Sequence, residues 1–287
     1  MSKPFKDAIS FKMSLEERLR TRAARSGMPF RTLQLKFVME RLLARLFQPT
    51  DVPWLLKGGF AMDLRYRPCA RTTRDIDLSI TLVVNDSIAD LRDKLQAAAE
   101  IDLGDFLTFY IGELKSEIAN APKGGSRLPV EAVLVGKTYA KFGIDVGIGD
   151  PLVGEPELLT GDDVLEFAGI SPAVARAIPR AQQFAEKVHA YTFPWSDRLN
   201  TRTKDLVDLV LLIERGALDL AQLRDALAAT FSIRGTHPLP KMLVPPPTHW
   251  KADFPGMASE ARLSTTDVVT AFAVLEAFWS SNSLGES

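Results

Sequence analysis

The stretch RTTRDIDLSI, residues 71–80, decides the fold class, because a polar turn leads directly into an alternating strand. From Asp75 onward, acidic and apolar residues alternate, which is typical of a strand with one buried face. The two-residue spacing places the carboxylates of Asp75 and Asp77 on one side of that strand, and Ile76 and Leu78 point differently. Mg²⁺ usually binds to proteins through one or two carboxylates plus substrate phosphates. The pair therefore predicts a magnesium site, although the same spacing also occurs in many surface turns.

A glycine turn precedes this stretch. The short apolar strand Trp54 to Leu56 runs into Lys57-Gly58-Gly59, and a helical pattern follows from Ala61 to Tyr66. Glycines between a strand and a helix let backbone amides approach phosphate oxygens, and the helix N-terminus favours anions. The segment predicts a phosphate-binding turn, with an ordinary tight turn as the alternative.

The residues that follow predict one helix and three strands. Helical periodicity extends over 85–100, and strand candidates are Leu107 to Glu113, Val130 to Val135 and Ala140 to Gly147. In the last of these, Asp145 alternates with apolar residues and is expected on the face opposite to them. It is a candidate third carboxylate, as expected when two metal ions assist a phosphoryl transfer. A solvent-facing strand residue is the alternative.

Helical patterns dominate from about Asp163 onward. The predicted helices are Pro179 to Tyr191, Thr203 to Arg215, Leu218 to Phe231 and Thr265 to Ser280. Thr236 to Pro247 is rich in proline and is predicted to be an extended connector. The second half of the chain is therefore expected to form a helical lobe.

Two of these helices carry charges that the apolar pattern would bury. Asp205 and Asp208 lie one turn apart on one helix face. Asp208 is flanked by apolar residues, so its carboxylate needs a partner, for which Lys187 and Arg202 are the candidates. A structural ion pair and a functional group are both compatible with this spacing. His189 is interpreted as a packing residue, because no second histidine lies at metal-ligand spacing.

The first 46 residues are basic, with eleven lysines and arginines against four acids. Ser14 followed by Glu17 predicts a capped helix to about Arg25, and a second helix is expected from about Thr32 to Phe47. Such an arm is typical of a surface that contacts a polyanion. A pair of solvated amphipathic helices is the alternative.

Composition limits the remaining classes. With 287 residues, 46% of them hydrophobic, the chain can bury a sizeable core and form two lobes. Its single cysteine, Cys69, excludes an internal disulfide and a cysteine-cluster zinc site. The sequence has no apolar run near the roughly 20 residues that span a bilayer and no secretory signal, so we expect a cytoplasmic protein without a membrane partner.

Four ordered blocks resemble the AbiEii/MenT family of nucleotidyltransferase-like toxins. The blocks are Leu56-Lys57-Gly58-Gly59, Arg71-Thr72-Thr73-Arg74-Asp75-Ile76-Asp77-Leu78, Ala185-Glu186-Lys187-Val188-His189-Ala190 and Arg202-Thr203-Lys204-Asp205-Leu206-Val207-Asp208-Leu209. The resemblance covers about residues 50–215. One departure is that the broader superfamily usually has Gly-Ser ahead of its paired aspartates, whereas this chain has Gly58-Gly59.

The resemblance implies an α+β fold, with a polymerase-beta-like nucleotidyltransferase lobe built on a mixed sheet and a helical C-terminal lobe. The implied division is a helical basic arm over 1–48, a nucleotidyltransferase core over 49–160 and a helical lobe over 161–287. The implied function is that of the toxin in a bacterial type IV-like toxin–antitoxin or abortive-infection system that defends against phage. Family members are thought to transfer a nucleotide from NTP, with one or two Mg²⁺, commonly to the 3′ end of tRNA, which blocks translation. The implied partners are tRNA and a cognate antitoxin.

Residue roles follow from the resemblance by position. The catalytic set is Asp75, Asp77, Lys187 and Asp208. Metal ligands are Asp75 and Asp77, with Asp145 as a weaker third that could instead accept the proton of the attacking hydroxyl. Nucleotide phosphates are expected at Lys57, Gly58, Gly59, Arg71, Arg74 and Lys187. Asp205 and Arg202 are additional site residues, and tRNA is expected to contact the arm at Arg18, Arg22, Arg25 and Arg31.

Three other functions remain open. A kinase-like toxin of the same fold would move the γ-phosphate to protein or RNA. A phosphatase of the haloacid dehalogenase kind would use the first aspartate as a nucleophile, but it needs a long apolar strand where Arg71-Thr72-Thr73-Arg74 stands. A catalytically inactive protein would only bind nucleotide or RNA.

Overall fold

The computed structural model describes residues 5–80, 88–113, 116–117, 122–195 and 199–286. The chain forms two compact units. The first, here called the sheet unit, contains 1–56, 74–148 and 158–176, and the second, the helical unit, contains 57–73, 149–157 and 177–287. The N-terminal helices thus group with the sheet, while the division into 1–48, 49–160 and 161–287 stays a prediction.

The sheet is mixed. Its strands are β1 (Trp54–Lys57), β2 (Asp75–Ile80), β3 (Thr108–Ile111), β4 (Ser116–Glu117), β5 (Gly125–Leu134), β6 (Lys137–Ile148), β7 (Glu157–Thr160) and β8 (Val174–Ala177). Their spatial order is β3-β5-β6-β2-β1-β8-β7, and β4 pairs with β5. Strand β2 runs parallel to β6, whereas β5 is antiparallel to both β3 and β6. The predicted α+β class with a mixed sheet is confirmed.

The helices of the described residues are α1 (Ala8–Ser26), α2 (Phe30–Leu46), α3 (Gly58–Tyr66), α4 (Ile88–Ala99), α5 (Arg180–Thr192), α6 (Thr203–Arg215), α7 (Leu220–Arg234), α8 (Trp250–Glu260) and α9 (Val268–Ser281). The predicted helices at these places are confirmed, with ends shifted by a few residues. Residues 85–87 of the predicted fourth helix lie outside the described residues. The proline-rich connector contains no helix over 236–247, as expected.

The predicted start of α1 at Ser14 was wrong. The helix begins after Asp7, whose carboxylate accepts hydrogen bonds from the backbone amides of Ile9 and Ser10 at 2.9 and 2.8 Å. Asp7 is therefore the N-cap. Phe11 and Leu15 lie one turn apart and are fully buried, so the apolar face of α1 begins before Ser14. This buried face explains why the helix starts on the N-terminal side of the Ser14 capping box.

Four elements were not predicted, and the shortest of them is β4, with two residues. Strands β7 and β8 have four residues each, too few to show a period, and they lie where the helical lobe was expected to begin. Helix α8 contains a proline at position 255 and has only three buried residues, Trp250, Phe254 and Ala258. Its apolar pattern is therefore sparse.

Each unit has its own apolar core. In the sheet unit, Phe37, Met39 and Leu42 of α2 are buried, as is Phe109 of β3. In the helical unit, one buried cluster joins α5, α6, α7, α8 and α9 around Phe184, Leu209 and Trp250. Among the residues that the structure describes, none of the helices is both long enough and apolar enough to span a membrane.

Candidate functional site

Parallel pairing of β2 with β6 brings three carboxylates to one face of the sheet. Asp77 lies opposite Asp145, and Asp75 lies opposite Gly143. Their strand neighbours Ile76 and Ile144 are fully buried on the other face. The side chains of Asp75 and Asp145 remain 40% and 20% exposed. The sequence-based placement of Asp75 and Asp77 on one side, and of Asp145 opposite an apolar face, agrees with this geometry.

Arg127 is a site residue that the sequence reasoning missed. It lies on β5 directly opposite Asp145. Its Nε and Nη2 donate to the two Asp145 oxygens at 2.6 Å each, and Nη2 lies 3.5 Å from Asp75 Oδ2. Hydrogen bonds to Asp145, together with the charges of Asp75 and Asp77, raise the pKa of Arg127 above its usual value. The alternation of β5 could have indicated which face Arg127 occupies, but not its partner.

The carboxylate face has the chemistry of a hard-cation site. Carboxylate oxygens are the ligands that Mg²⁺ prefers. A Cβ at position 143 would meet Asp75 Oδ1 at 3.2 Å, so glycine there leaves room beside this carboxylate. Within the described ranges, no group of three or more His, Cys, Asp or Glu side chains is arranged to hold a metal. The residues fit a cation held by Asp75 and Asp77 and completed by ligands from outside the chain.

Arg74 immediately precedes this strand, and its side chain is exposed. The structure shows no ion pair between Arg74 and any other described residue. An exposed guanidinium next to Asp75 is available to an anion.

The glycine turn lies in the helical unit, where Lys57 is the N-cap of α3. Gly58 has a φ of +66°, in the left-handed region that favours glycine. A Cβ on Gly59 would lie 2.8 Å from Thr73 Oγ1, so position 59 must be glycine for the Thr73 side chain to approach the backbone this closely. Packing within the chain therefore accounts for both glycines without a ligand.

Lys57 belongs to a buried charge network of the helical unit. Its Nζ lies 2.5 Å from Asp150 Oδ2 and 3.2 Å from Glu186 Oε2. Arg234 Nη2 contacts the same two carboxylates at 2.8 and 3.4 Å. Burial alone would lower the pKa of Lys57, but the charges of Glu186 and Asp150 outweigh burial and raise it. Lys57 is a fixed cation with two carboxylate partners.

A second network joins α5 and α6. Asp208, with its side chain 1% exposed, accepts two hydrogen bonds from Arg71 at 2.9 and 2.8 Å and lies 2.7 Å from Lys187 Nζ. Lys187 Nζ also donates to Asp205 at 3.0 Å. Burial would raise the pKa of Asp208, but Arg71 and Lys187 lower it below its usual value.

Lys187 is therefore the partner that the sequence indicated for Asp208. The interpretation of Arg202 as its other candidate partner was wrong, because Arg202 faces Asp205 at 3.7 Å. Arg71 takes that place instead. No local pattern links residue 71 to residue 208, and only the folded chain brings them together.

His189 is a packing residue, as interpreted. Its ring packs against Phe231 and His237, with centroids 5.0 and 4.6 Å away. Its Nε2 shares a hydrogen bond of 2.9 Å with the Thr236 hydroxyl. Burial, followed by the charge of Arg234, lowers the pKa of His189 to about 3.

Three of the four expected arm arginines meet on the sheet unit. Arg18, Arg22 and Arg25 line one open cavity of about 550 Å³, together with Phe167. The Arg18 guanidinium lies 4.2 Å from the centre of the Phe167 ring. Arg22 is paired with the neighbouring carboxylates of residues 162 and 163. Arg31 lies on α2, where it donates to the side chain of residue 34 at 3.1 Å, and is not part of the cavity lining.

Comparisons with known proteins identify one family. A family model described as nucleotidyl transferase AbiEii toxin, type IV toxin–antitoxin system, matches residues 41–276. No curated protein matches the chain. Among solved structures, the MenT4 nucleotidyltransferase toxin of Mycobacterium tuberculosis H37Rv is 17% identical, with 90% of this chain and 93% of that one covered and a TM-score of 0.57. JHP933 from Helicobacter pylori is 16% identical, with 88% and 97% covered and a TM-score of 0.45. The likeness to MenT4 confirms the fold that the resemblance implied.

Proposed function

The chain belongs to the family of AbiEii nucleotidyl transferase toxins of type IV toxin–antitoxin systems, and from that premise we propose that it transfers a nucleotide from an NTP to the 3′ end of tRNA. The observation that carries this proposal is the accessible carboxylate pair Asp75 and Asp77 on one strand face, with room beside Asp75. Nucleotidyl transfer is the activity of the family. The tRNA acceptor, the block of translation, phage defence and a cytoplasmic site of action are our proposal.

Asp75 and Asp77 would hold Mg²⁺, which when bound neutralises the triphosphate and favours departure of pyrophosphate. An RNA hydroxyl oxygen attacks the α-phosphorus, the α–β bridging bond breaks, and pyrophosphate leaves with the bonding electrons. The hydroxyl proton passes to a carboxylate or to solvent. Positioning and charge neutralisation supply the catalysis, so no covalent intermediate with the chain is required.

The phosphate contacts of the helical unit are proposed residue by residue. Lys57, Gly58, Gly59, Arg71 and Lys187 keep this role from the family resemblance. Lys57 and Lys187 both have carboxylate partners in the structure, so a phosphate contact would require each Nζ to share or exchange a partner. Asp208 would then position Lys187, and Asp205 and Arg202 would be additional residues of the same site. In the sheet unit, Arg74 is the exposed cation that we propose for the triphosphate.

The acceptor RNA is proposed to contact the cavity lined by Arg18, Arg22 and Arg25. Arginines neutralise backbone phosphates, and a guanidinium on an aromatic ring forms a platform on which a base can stack. Arg31 is proposed only as an outlying contact, because it does not line the cavity. The second partner is the cognate antitoxin that a type IV system implies.

The function is tested with purified protein, Mg²⁺, total tRNA and each α-labelled NTP in turn. We expect label in tRNA from at least one NTP, and a loss of about 10²-fold or more in Asp75→Asn and Asp77→Asn, because the cation loses a ligand. Glu131→Gln is the matched control, since it removes an exposed carboxylate from β5 of the same sheet and should leave the rate unchanged. Transfer of γ-label to protein or RNA would instead establish the kinase alternative. Absence of any transfer would leave a nucleotide- or RNA-binding protein.

The acceptor surface is tested by the double variant Arg18→Ala/Arg25→Ala. We expect the KM for tRNA to rise several-fold and the slope of binding against salt concentration to fall by about one per lost phosphate contact, with the KM for NTP unchanged. Arg20→Ala is the control, because Arg20 is an exposed arginine of the same helix that pairs with Glu16 and does not line the cavity. An equal effect of both variants would contradict a specific role for the cavity.

A further inference from the structure

The third carboxylate of the site already has a cation. Both oxygens of Asp145 accept hydrogen bonds of 2.6 Å from Arg127. A two-pronged contact of this kind matches the planar fork of a guanidinium and fixes both side chains. Asp145, which lies opposite Asp77 in the strand register, is therefore bound to Arg127 through both of its oxygens.

The path of the Arg127 side chain indicates what this contact achieves. Arg127 lies on β5 and Asp75 on β2, with β6 between them. A Cβ at Gly143 of β6 would lie 3.9 Å from Arg127 Cγ and Nε and 3.2 Å from Asp75 Oδ1. Because position 143 has no side chain, the guanidinium can cross β6 and approach Asp75 Oδ2 to 3.5 Å.

Charge gives a second, independent reason. Three carboxylates on one face carry three negative charges, and one guanidinium reduces the total to two, which a single divalent cation would balance. Among the described residues, no three carboxylates are arranged to hold one metal ion, so Asp75, Asp77 and Asp145 do not all share one.

We propose that Arg127 is the second cation of the transfer site, supplied by the chain itself, and that Asp145 is the positioning residue that holds it and not a metal ligand. Asp75 and Asp77 would then hold one metal ion, and Arg127 would supply positive charge in place of a second ion. This inference rests on the proposed function of the same site, and it removes Asp145 from the candidate metal ligands.

The test uses the full chain with Mn²⁺ as the metal probe, and bound Mn²⁺ is counted by electron paramagnetic resonance without nucleotide. We expect one Mn²⁺ per chain and a loss of affinity of about tenfold or more in Asp77→Asn. Asp145→Asn should lower the affinity by no more than about threefold, since it removes a charge but no ligand. Equal losses in Asp145→Asn and Asp77→Asn, or two bound ions, would overturn the proposal.

Arg127→Gln sharpens the test, because it removes the positive charge and leaves Asp145 without its partner. We expect Mn²⁺ to bind about threefold or more tighter, and the double variant Arg127→Gln/Asp145→Asn to return to the wild-type affinity. Arg127→Lys keeps the charge but not the fork, so we expect wild-type Mn²⁺ affinity with a reduced transfer rate. Unchanged Mn²⁺ affinity and unchanged transfer in Arg127→Gln would show that Arg127 has no part in the site.

The same experiment separates this inference from the proposed function. Wild-type protein that binds Mn²⁺ as described but labels no RNA would refute the transfer function and leave the roles of Asp145 and Arg127 supported. Wild-type transfer with equal Mn²⁺ losses at Asp145 and Asp77 would refute only the inference. Glu131→Gln, on β5 with Arg127, is the control for a general effect of charge on the sheet.

Discussion

Asp75 in the sheet unit and Asp208 in the helical unit are both aspartates that the sequence marks as site residues, yet their side chains are 40% and 1% exposed. Asp75 faces one guanidinium at 3.5 Å, which it shares with Asp145. Asp208 faces Arg71 and Lys187, each within 3 Å.

The charges of the two clusters differ in the same way. On the carboxylate face of the sheet unit, Arg127 contacts Asp75 and Asp145, and Asp75 remains 40% exposed, so negative charge remains available to a cation from solution. The cluster of the helical unit has Asp205 and Asp208 against Arg71, Lys187 and Arg202, so cations of the chain already match both carboxylates. Removing a carboxylate from this buried cluster leaves uncompensated positive charge, whereas removing an exposed carboxylate leaves groups that water can solvate. Residue type identifies a charged cluster in each unit. The exposure of its carboxylates, and the number of cations of the chain that pair with them, indicate whether the cluster is open to a ligand.

The largest effect is expected from Asp208→Asn. Loss of this carboxylate leaves Arg71 and Lys187 with one fewer partner, so the free energy of unfolding should fall by about 3–5 kcal/mol. Urea denaturation followed by tryptophan fluorescence measures this change, since three of the four tryptophans, at 195, 250 and 279, belong to the helical unit. Asp75→Asn is the matched control and should cost less than about 1 kcal/mol while it abolishes transfer. Equal stability losses in the two variants would break the comparison.

A smaller effect is expected from the two glycines that lie beside these clusters. Gly59→Ala places a Cβ 2.8 Å from Thr73 Oγ1 and should destabilise the chain by about 2 kcal/mol through overpacking. The Cβ of Gly143→Ala would have its closest contact at the end of the Asp75 side chain, at 3.2 Å, and would touch Arg127 only at 3.9 Å. The substitution should leave stability nearly unchanged but lower transfer about tenfold, because the carboxylate must move. Thermal melts and initial rates of both variants give the two readouts, and the reverse pattern would contradict the assignment.

The smallest effect is a pH dependence of stability from His189. Its pKa is about 3 in the folded chain against 6.5 for an ordinary histidine, so below pH 6.5 the unfolded chain binds a proton that the folded chain does not. Stability is therefore lost as the pH falls from 6.5 toward 3. Between pH 6.5 and 5 the expected loss is about 1.5 kcal/mol, and His189→Asn should lack this component. Urea midpoints at several pH values measure it, and parallel curves for the two proteins would show that His189 is not responsible.

Much of the fold and part of the candidate site follow from local pattern. Alternation over 75–80 and over 140–147 predicted which faces the aspartates occupy, and the apolar period predicted α5 and α6. The start of α1 was misplaced because two capping patterns compete near Asp7 and Ser14, and the longer buried stripe decides between them. Strands β7 and β8 escaped prediction because four residues are too few to show a period.

The partners of the charged residues could not be predicted. Arg127 reaches Asp145 only because β5 and β6 pair in a particular register, and Arg71 reaches Asp208 across 137 residues of sequence. The sequence by itself determined the side of the strand on which Asp75 and Asp77 lie, since alternation is a property of the local backbone. Only the tertiary structure decided that Asp145 holds an arginine and that Arg71 is a partner of the buried Asp208. The reason is that exposure and ion pairing depend on strand register and helix packing between residues far apart in the chain.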